Sequence, residues 1–271
     1  MPELPEVETI VNDLRPRIEG RHIEHIDFLW HNTLQYPSPE EFDKSIRGRK
    51  IESLGRRGKY ILVNLDHRDK NILMVMHLRM TGSLLWQTTE ELPRFTRTVI
   101  YLKEGDTLCF LDPRKFGKVM LGPSCPDVDK LGIEPFDKGF TPNYLYSLTC
   151  KRKTPIKTLI LDQSLIAGIG NMYADEALYD SRIDPERAAD SLSDDELSKL
   201  RDSIVKVLQK GIEANGASVS DYFRPNGERG HAHEGYKVAH NKDGICECCG
   251  GKVMRKVVGQ RGTYFCPNCQ K

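Results

Sequence analysis

No stretch of the 271-residue chain approaches the roughly 18 consecutive apolar residues that a membrane-spanning helix needs. The opening MPELPEVETI carries acids where a secretory leader has a basic flank and an apolar centre, so export is not expected. Cysteine is sparse before residue 246, limited to Cys109, Cys125 and Cys150, which excludes a disulfide scaffold. An excess of charge of one sign is also lacking. Forty Lys+Arg stand against 39 Asp+Glu, a net +1 that on its face discourages a polyanionic partner. Internal repeats and low-complexity tracts are absent as well, which leaves neither a solenoid nor a disordered chain.

What remains is a chain long enough for about two domains, with 38% hydrophobic residues to build their cores. Val7, Ile10, Val11, Leu14 and Ile18 recur at helical spacing, and Pro2 with Glu3 and Glu6 suits a first turn. Brief β-rich runs follow: Ile26, Phe28 and Trp30 in alternation, then 60–65, 72–78, 99–102 and 108–111. Many short strands with little helix between them predict an antiparallel β-sandwich over 1–122 with a leading helix. The Pro-, Gly- and Asp-rich stretch at 123–143 reads as a linker. A helical domain is expected over 144–240. Its clearest helix follows the capping box Ser193/Glu196, presents Leu197, Leu200, Ile204, Val207, Leu208 and Ile212 on one face, and stops at Asn215-Gly216. Residues 216–240 show no period, and so long an irregular segment in a compact domain is expected to be functional.

The remaining cysteines crowd the last segment, 241–271. Cys246 and Cys249 form one C-x2-C knuckle, Cys266 and Cys269 a second, with sixteen residues between. That spacing is the pattern of a four-thiolate zinc site, and four protein ligands leave no open position, so one structural zinc ion is expected. The intervening residues predict a β-hairpin with strands at 253–258 and 263–265 and Gly259-Gln260-Arg261-Gly262 at its tip. Cys248 is a surplus thiol.

Charge placement qualifies the neutral sum. Residues 201–271 hold 12 Lys+Arg against 7 Asp+Glu, while 181–200 is acidic. Lys44, Arg47, Arg49, Lys50, Arg56, Arg57 and Lys59 form one basic run and Lys151-Arg152-Lys153 with Lys157 another. Any one such run is ordinarily a solvated face. Three of them beside a zinc ribbon favour phosphate neutralisation.

Met-Pro is a start from which the initiator methionine is commonly removed. Removal exposes a secondary amine with a pKa of about 8, partly neutral and nucleophilic at neutral pH. Alone, Pro2 reads as a helix N1 residue. The wider pattern adds to it: PELPEVET at the start, GRRGKY at 55–60, HLRMTG at 77–82, DPRKFG at 112–117, AGIGNMYADE at 167–176 and the terminal QRGTYFCPNCQK occur in order. The chain resembles the formamidopyrimidine-DNA glycosylase family over essentially its whole length. Leu4 favours that branch over the endonuclease VIII-like one, which typically opens PEGPE.

The resemblance implies an α+β protein: an N-terminal β-sandwich, a helical domain with a helix–two-turn–helix, and a zinc-ribbon hairpin, with damaged double-stranded DNA held between. It implies a bifunctional glycosylase and abasic-site lyase acting on 8-oxoguanine and formamidopyrimidines. Pro2 is then the Schiff-base nucleophile and Glu3 the general acid; Lys59 assists β-elimination and Arg261 δ-elimination. Met80, Arg114 and Phe116 fill the gap left by the flipped nucleotide, though singly they read as two core residues and a structural cation. Arg152, Asn171 and Lys157 hold the DNA backbone, Glu6 supports the reaction centre or only caps the helix, and Ser218 and Tyr236 are candidates for lesion recognition. Two departures stand out. Phe95, in Arg94-Phe95-Thr96-Arg97, replaces a DNA-contacting histidine of many members, leaving Arg94 or Arg97 to compensate. Val238-Ala239-His240-Asn241 lacks a basic residue usual before the ribbon, unless Lys242 serves. The alternatives are an oxidised-pyrimidine glycosylase, a catalytically silent zinc-ribbon DNA-binding protein, and a tautomerase-like enzyme with an N-terminal proline. A monomer without membrane attachment or small-molecule cofactor, acting at the nucleoid in a bacterial cytoplasm, is expected.

Overall fold

The computed structural model describes residues 1–66, 72–89, 91–219 and 222–271. They fall into two compact units, one of residues 1–129 with 214–231, the other of 130–213 with 232–271.

The first unit begins with α1 (Leu4–Ile18), which carries Pro5 in its first turn. Pro2 therefore lies ahead of the helix rather than at its first position. The strands are β1 (Ile23–Phe28), β2 (Leu34–Tyr36), β3 (Ile51–Arg57), β4 (Tyr60–Leu65), β5 (Ile72–His77), β6 (Ser83–Gln87), β7 (Thr96–Leu102), β8 (Thr107–Leu111) and β9 (Lys118–Gly122), with α2 (Pro39–Ile46) between β2 and β3. One sheet is ordered β1-β7-β8-β6, the other β2-β9-β5-β4-β3. All pairs are antiparallel except β2 with β9, which run parallel. Sequence periodicity does not carry strand direction, and this short edge pairing departs from the all-antiparallel expectation. Trp30 also falls beyond β1. Leu14 and Ile18 of α1, Phe42 of α2, Ile61 and Met76 of one sheet and Ile100 and Phe110 of the other share a single core. A short turn of helix, α3 (Pro126–Asp129), ends the unit's first segment.

The second unit holds α4 (Pro142–Thr149), α5 (Ile156–Ile160), α6 (Asn171–Asp180) and α7 (Asp194–Glu213), then the hairpin β10 (Met254–Val258) and β11 (Arg261–Phe265). The capping box forms as read: Ser193 N donates to Glu196 Oε2 at 2.9 Å and Glu196 N to Ser193 Oγ at 3.3 Å. Leu197, Leu200, Ile204 and Leu208 are buried, while Val207 and Ile212 are partly so. The change of unit after residue 129 falls inside the stretch read as a linker. Residues 214–231 depart from the division at 144–240, because their polar groups bond to α1 of the first unit. Among the described residues no helix is long and apolar enough to cross a membrane.

Candidate functional site

The first unit builds a turn of unusual polarity ahead of α1. Pro2 is buried, and Glu3 and Glu6 are 2% and 1% exposed. Glu3 keeps an extended backbone at the helix start, and its N–H donates to Glu6 Oε2 at 2.8 Å. The other Glu6 oxygen, Oε1, accepts from Ala217 N at 2.8 Å. Tyr222 closes the arrangement, its hydroxyl donating to the Glu6 carbonyl at 3.4 Å and lying 3.3 Å from the Asn215 carbonyl. Gly216 is required here twice over. Its φ is +76°, and a Cβ would stand 3.0 Å from Glu6 Cγ and from Tyr222 Cε1. Ser218 is buried too, donating to the Tyr222 carbonyl at 2.8 Å and accepting from Gly230 N at 2.9 Å. It pins the segment's own backbone.

Lys59 occupies the two-residue turn between β3 and β4, after Gly58 at positive φ, and is 6% exposed. Near it lies a residue that sequence reasoning quoted but did not single out. His77 ends β5 opposite Tyr60, with ring centroids 4.4 Å apart, and its Nδ1 accepts from Arg79 N at 2.9 Å. Burial, then the charges of Arg79 and Lys59, pull its pKa down to about 3. His77 is thus neutral at physiological pH with its proton on Nε2, a hydrogen-bond donor rather than a cation. The signal was its place in HLRMTG, beside Met80.

Met80 and Phe116, 40% and 48% exposed, face solvent, so they are not core residues. Buried Asp112 ties together the loops that carry them. It accepts from Thr81 Oγ1 at 2.6 Å, from Gly117 N at 2.7 Å and from Arg114 N at 3.2 Å. The Arg114 guanidinium lies 5.0 Å from the Phe116 ring centroid, and Lys115 Nζ 3.9 Å from that of Trp30. Phe95 is exposed at a φ of +70°, its carbonyl accepting from Asp112 N at 3.0 Å. Arg94 and Arg97 flank its ring at 4.5 and 5.9 Å. Both arginines named as substitutes for the missing histidine therefore stand beside it.

In the second unit, Asn171 opens α6 and its Nδ2 donates to the Gly262 carbonyl at 2.9 Å. Lys157 is 0% exposed, which corrects its reading as a phosphate contact. Its Nζ lies 2.6 Å from Asp175 Oδ1, 2.8 Å from Thr263 Oγ1 and 3.3 Å from the Gly262 carbonyl. Asp175 Oδ2 accepts from Tyr264 N at 3.0 Å. Burial outweighs the pull of Lys157 and raises the Asp175 pKa to about 6. A charge run gives the sign of a lysine, not its depth.

Arg152 and Arg261 are exposed, and Arg152 Nη1 donates to the Leu148 carbonyl. The ribbon's tip is narrower than GQRG suggested. Val258 pairs with Arg261, leaving only Gly259 and Gln260, both at positive φ, in the turn. Such a two-residue turn matches the strand twist, so Arg261 starts β11 instead of standing at the tip. The half-buried ring of Tyr236 meets Tyr173 edge-on at 5.8 Å. The following residues are held by Glu176, whose carboxylate accepts from the backbone N–H groups of Lys237, Val238 and Ala239 at 2.8–3.0 Å. Burial nonetheless pushes its pKa up. Sequence reasoning passed over it, although it closes the AGIGNMYADE run. Lys242 is exposed, with Asp243 at 3.8 Å.

Sγ atoms of Cys246, Cys249, Cys266 and Cys269 all lie within 4.8 Å of one another. Cys246 and Cys269 are 3.8 Å apart, Cys249 and Cys266 3.5 Å. A tetrahedron with Zn–S arms of about 2.3 Å has edges of about 3.8 Å, so the donor set fits one zinc ion. Cys248 is exposed, outside the four-sulfur group and against Arg182. Tyr179 Oη, 3.1 Å from Cys246 Sγ, supplies a hydrogen bond to a ligand sulfur.

A buried Pro–Glu turn on a β-sandwich and a four-thiolate ribbon set against a helix start define a class of zinc-ribbon, helix–two-turn–helix proteins. Three family models match in order: the formamidopyrimidine-DNA glycosylase N-terminal domain over 1–119, its H2TH domain over 131–222, and the zinc finger found in FPG and IleRS over 245–271. A formamidopyrimidine-DNA glycosylase of Pelotomaculum thermopropionicum is 40% identical, covering 100% of this chain and 99% of its own. Among solved structures, a Lactococcus lactis FPG mutant in complex with a Fapy-dG containing DNA is 31% identical, with a TM-score of 0.92 over 100% of both chains. The MutM (FPG) protein of Thermus thermophilus is 35% identical, with a TM-score of 0.89 over 99% of this chain and 98% of the other. The chain belongs to the formamidopyrimidine-DNA glycosylase family.

Proposed function

We propose that this DNA glycosylase of base-excision repair removes oxidised purines, 8-oxoguanine and formamidopyrimidines, and then cleaves the strand as an abasic-site lyase. The observation that carries the reading is the Pro2–Glu3 turn, buried and fixed by Glu6 at the start of α1. A damaged base inside a duplex is out of reach, so the nucleotide is flipped out and Met80, Arg114 and Phe116 occupy the gap. Once Met1 is removed, the neutral Pro2 nitrogen attacks C1′ while Glu3 gives its proton to the sugar ring oxygen. The C1′–base bond breaks, the base taking the bonding pair and the proton that Pro2 gives up. The C1′–O4′ bond then opens, its pair going to O4′ with the Glu3 proton, and C1′ becomes doubly bonded to the Pro2 nitrogen. The resulting iminium acidifies the C2′ protons; loss of one expels the 3′ phosphate, assisted by Lys59. A second elimination expels the 5′ phosphate, assisted by Arg261.

Exposed Arg152 and Arg261 and the helix-start Asn171 bind phosphate, and Phe95 with Arg94 and Arg97 supplies the contact otherwise made by histidine. Lys157 positions Asn171 and the ribbon from below. Glu6 orders the reaction centre, and Ser218 and Tyr236 shape the lesion-binding segments. Functionally the chain divides into a catalytic sandwich (1–122), a linker (123–143), a helical DNA-binding domain (144–240) and a ribbon (241–271), with 214–231 serving the catalytic part. The zinc is structural, since four thiolates close its coordination. The protein acts as a monomer on double-stranded damaged DNA, in the cytoplasm at the nucleoid, as suits bacterial relatives and reduced thiols.

Borohydride reduction with an 8-oxoguanine duplex will trap a covalent complex that disappears when Met1 is retained. Undiminished trapping with Met1 in place would remove Pro2 from its role. Glu3→Gln will abolish base excision yet still cleave preformed abasic sites, and equal loss of both activities counts against the acid. A thymine-glycol duplex run in parallel separates the oxidised-pyrimidine reading, and trapping itself separates the silent binder.

A further inference from the structure

One face of α1 carries Glu6, Thr9 and Asp13, spaced three and four residues apart and so aligned along the helix. Ala217, Tyr222 and Arg224 meet that face in turn. Ala217 N reaches Glu6 Oε1, Tyr222 is buried in the core beside it, and Arg224 ends the row on Asp13. The last contact is bidentate: Arg224 Nε to Asp13 Oδ2 and Nη2 to Asp13 Oδ1, both at 2.8 Å, with each side chain 18% exposed. Arg224 also orders its own turn, Nη1 donating to Glu228 Oε2 at 2.9 Å and the backbone N to the Glu228 carbonyl at 2.9 Å. The neighbouring Pro225 carbonyl accepts from Trp86 N of β6 at 3.0 Å. Arg17, one turn beyond Asp13, covers the Trp86 ring at 4.6 Å.

We propose that Asp13 and Arg224 are positioning residues for base excision, holding Ala217 and Tyr222 against α1 so that Glu6 stays shared between Ala217 and Glu3. Glu6 has one carboxylate for two amides. When the segment shifts, the carboxylate follows Ala217 or loses it, and the Glu3 amide, adjacent to Pro2, loses its fixed acceptor. A planar fork on a carboxylate fixes direction as well as distance, which a lone lysine contact does not. Small misplacements of a catalytic group are costly, of the order of 10–100-fold in rate for about an ångström. The inference rests on the proposed acid role of Glu3, because only base release needs that acid.

Asp13→Asn and Arg224→Gln, assayed in single turnover, will lose about 10-fold in excision of 8-oxoguanine while cleavage of preformed abasic sites stays within about twofold. Hydrogen exchange at the Ala217 amide will quicken in both variants. Arg224→Lys, which keeps the charge but not the fork, will recover only part of the excision rate. Unchanged excision, equal loss of both activities, or full activity in Arg224→Lys would each overturn the clamp. Should the unmutated protein cleave neither substrate, the function proposed above fails instead.

Discussion

Asp175 and Lys157 show how much a single pair decides. A fully buried ammonium 2.6 Å from a buried carboxylate has already lost its water, and Asp175, Thr263 and the Gly262 carbonyl stand in its place. Lys157→Met leaves the Asp175 carboxylate uncompensated at neutral pH and will cost about 3–5 kcal/mol in denaturant unfolding. A near-neutral result would mean that water reaches the pair. The pH dependence has a definite sign. The folded pKa of about 6 lies above the ordinary 3.8, so this group's contribution is fully present below about pH 4 and is lost as pH rises through about 6. Over that window the Asp175→Asn variant will lack this component of the decline. His77 acts in the opposite direction, since its pKa of about 3 makes protonation destabilising as pH falls below about 6.5. At this scale the sequence shows residue type and motif membership, and the zinc cysteines were legible that way. Depth was not: Lys157 looked like a surface cation, the roles of Asp175 and Glu176 exist only once distant backbone amides are brought to them, and that of His77 only once its ring is buried.

Elements were more readable where periodicity and capping act within a few residues. The α7 helix, its Ser193/Glu196 start and the β4 strand follow from local rules, whereas the parallel β2–β9 pair depends on a partner more than eighty residues away. The ribbon shows both sides. Its knuckle spacing announced the metal, yet the two-residue turn hinges on Gln260 adopting a positive φ, which four turn-like residues do not reveal. Two strands alone are marginally stable, and the cluster beneath this pair is small: Val238, Val253 and Tyr179 with two of the ligand cysteines. Zinc therefore holds the hairpin. Chelation will unfold β10 and β11, freeing Gly262 and Thr263 from Asn171 and Lys157, and abolish duplex binding while the sandwich keeps its circular-dichroism signature. Retained affinity with zinc shown to be absent would exclude the ribbon from DNA binding.

For the whole molecule, a net charge of +1 was the least informative number in the sequence, because it counts charges that never meet solvent or that are already paired. In the run at 44–59, Arg47 is committed to Asp43 at 2.6 Å and Arg56 to Glu8 at 2.7 Å, while Arg49 and Lys59 are buried. Arg152 and Arg261 keep exposed guanidinium groups without a carboxylate ion pair among the described contacts. Counterion release depends on cations that reach phosphate, so these two classes separate in a salt titration. Arg152→Gln and Arg261→Gln will each lower the slope of log K against log salt by about 0.9, whereas Arg47→Gln will leave it unchanged. Fluorescence anisotropy with an uncleavable abasic-site duplex at several salt concentrations measures this directly. A reduced slope for Arg47→Gln would show that its pair with Asp43 opens when DNA binds, and that the run contributes as a run. An unchanged slope for Arg152→Gln would take that residue out of the phosphate contacts altogether.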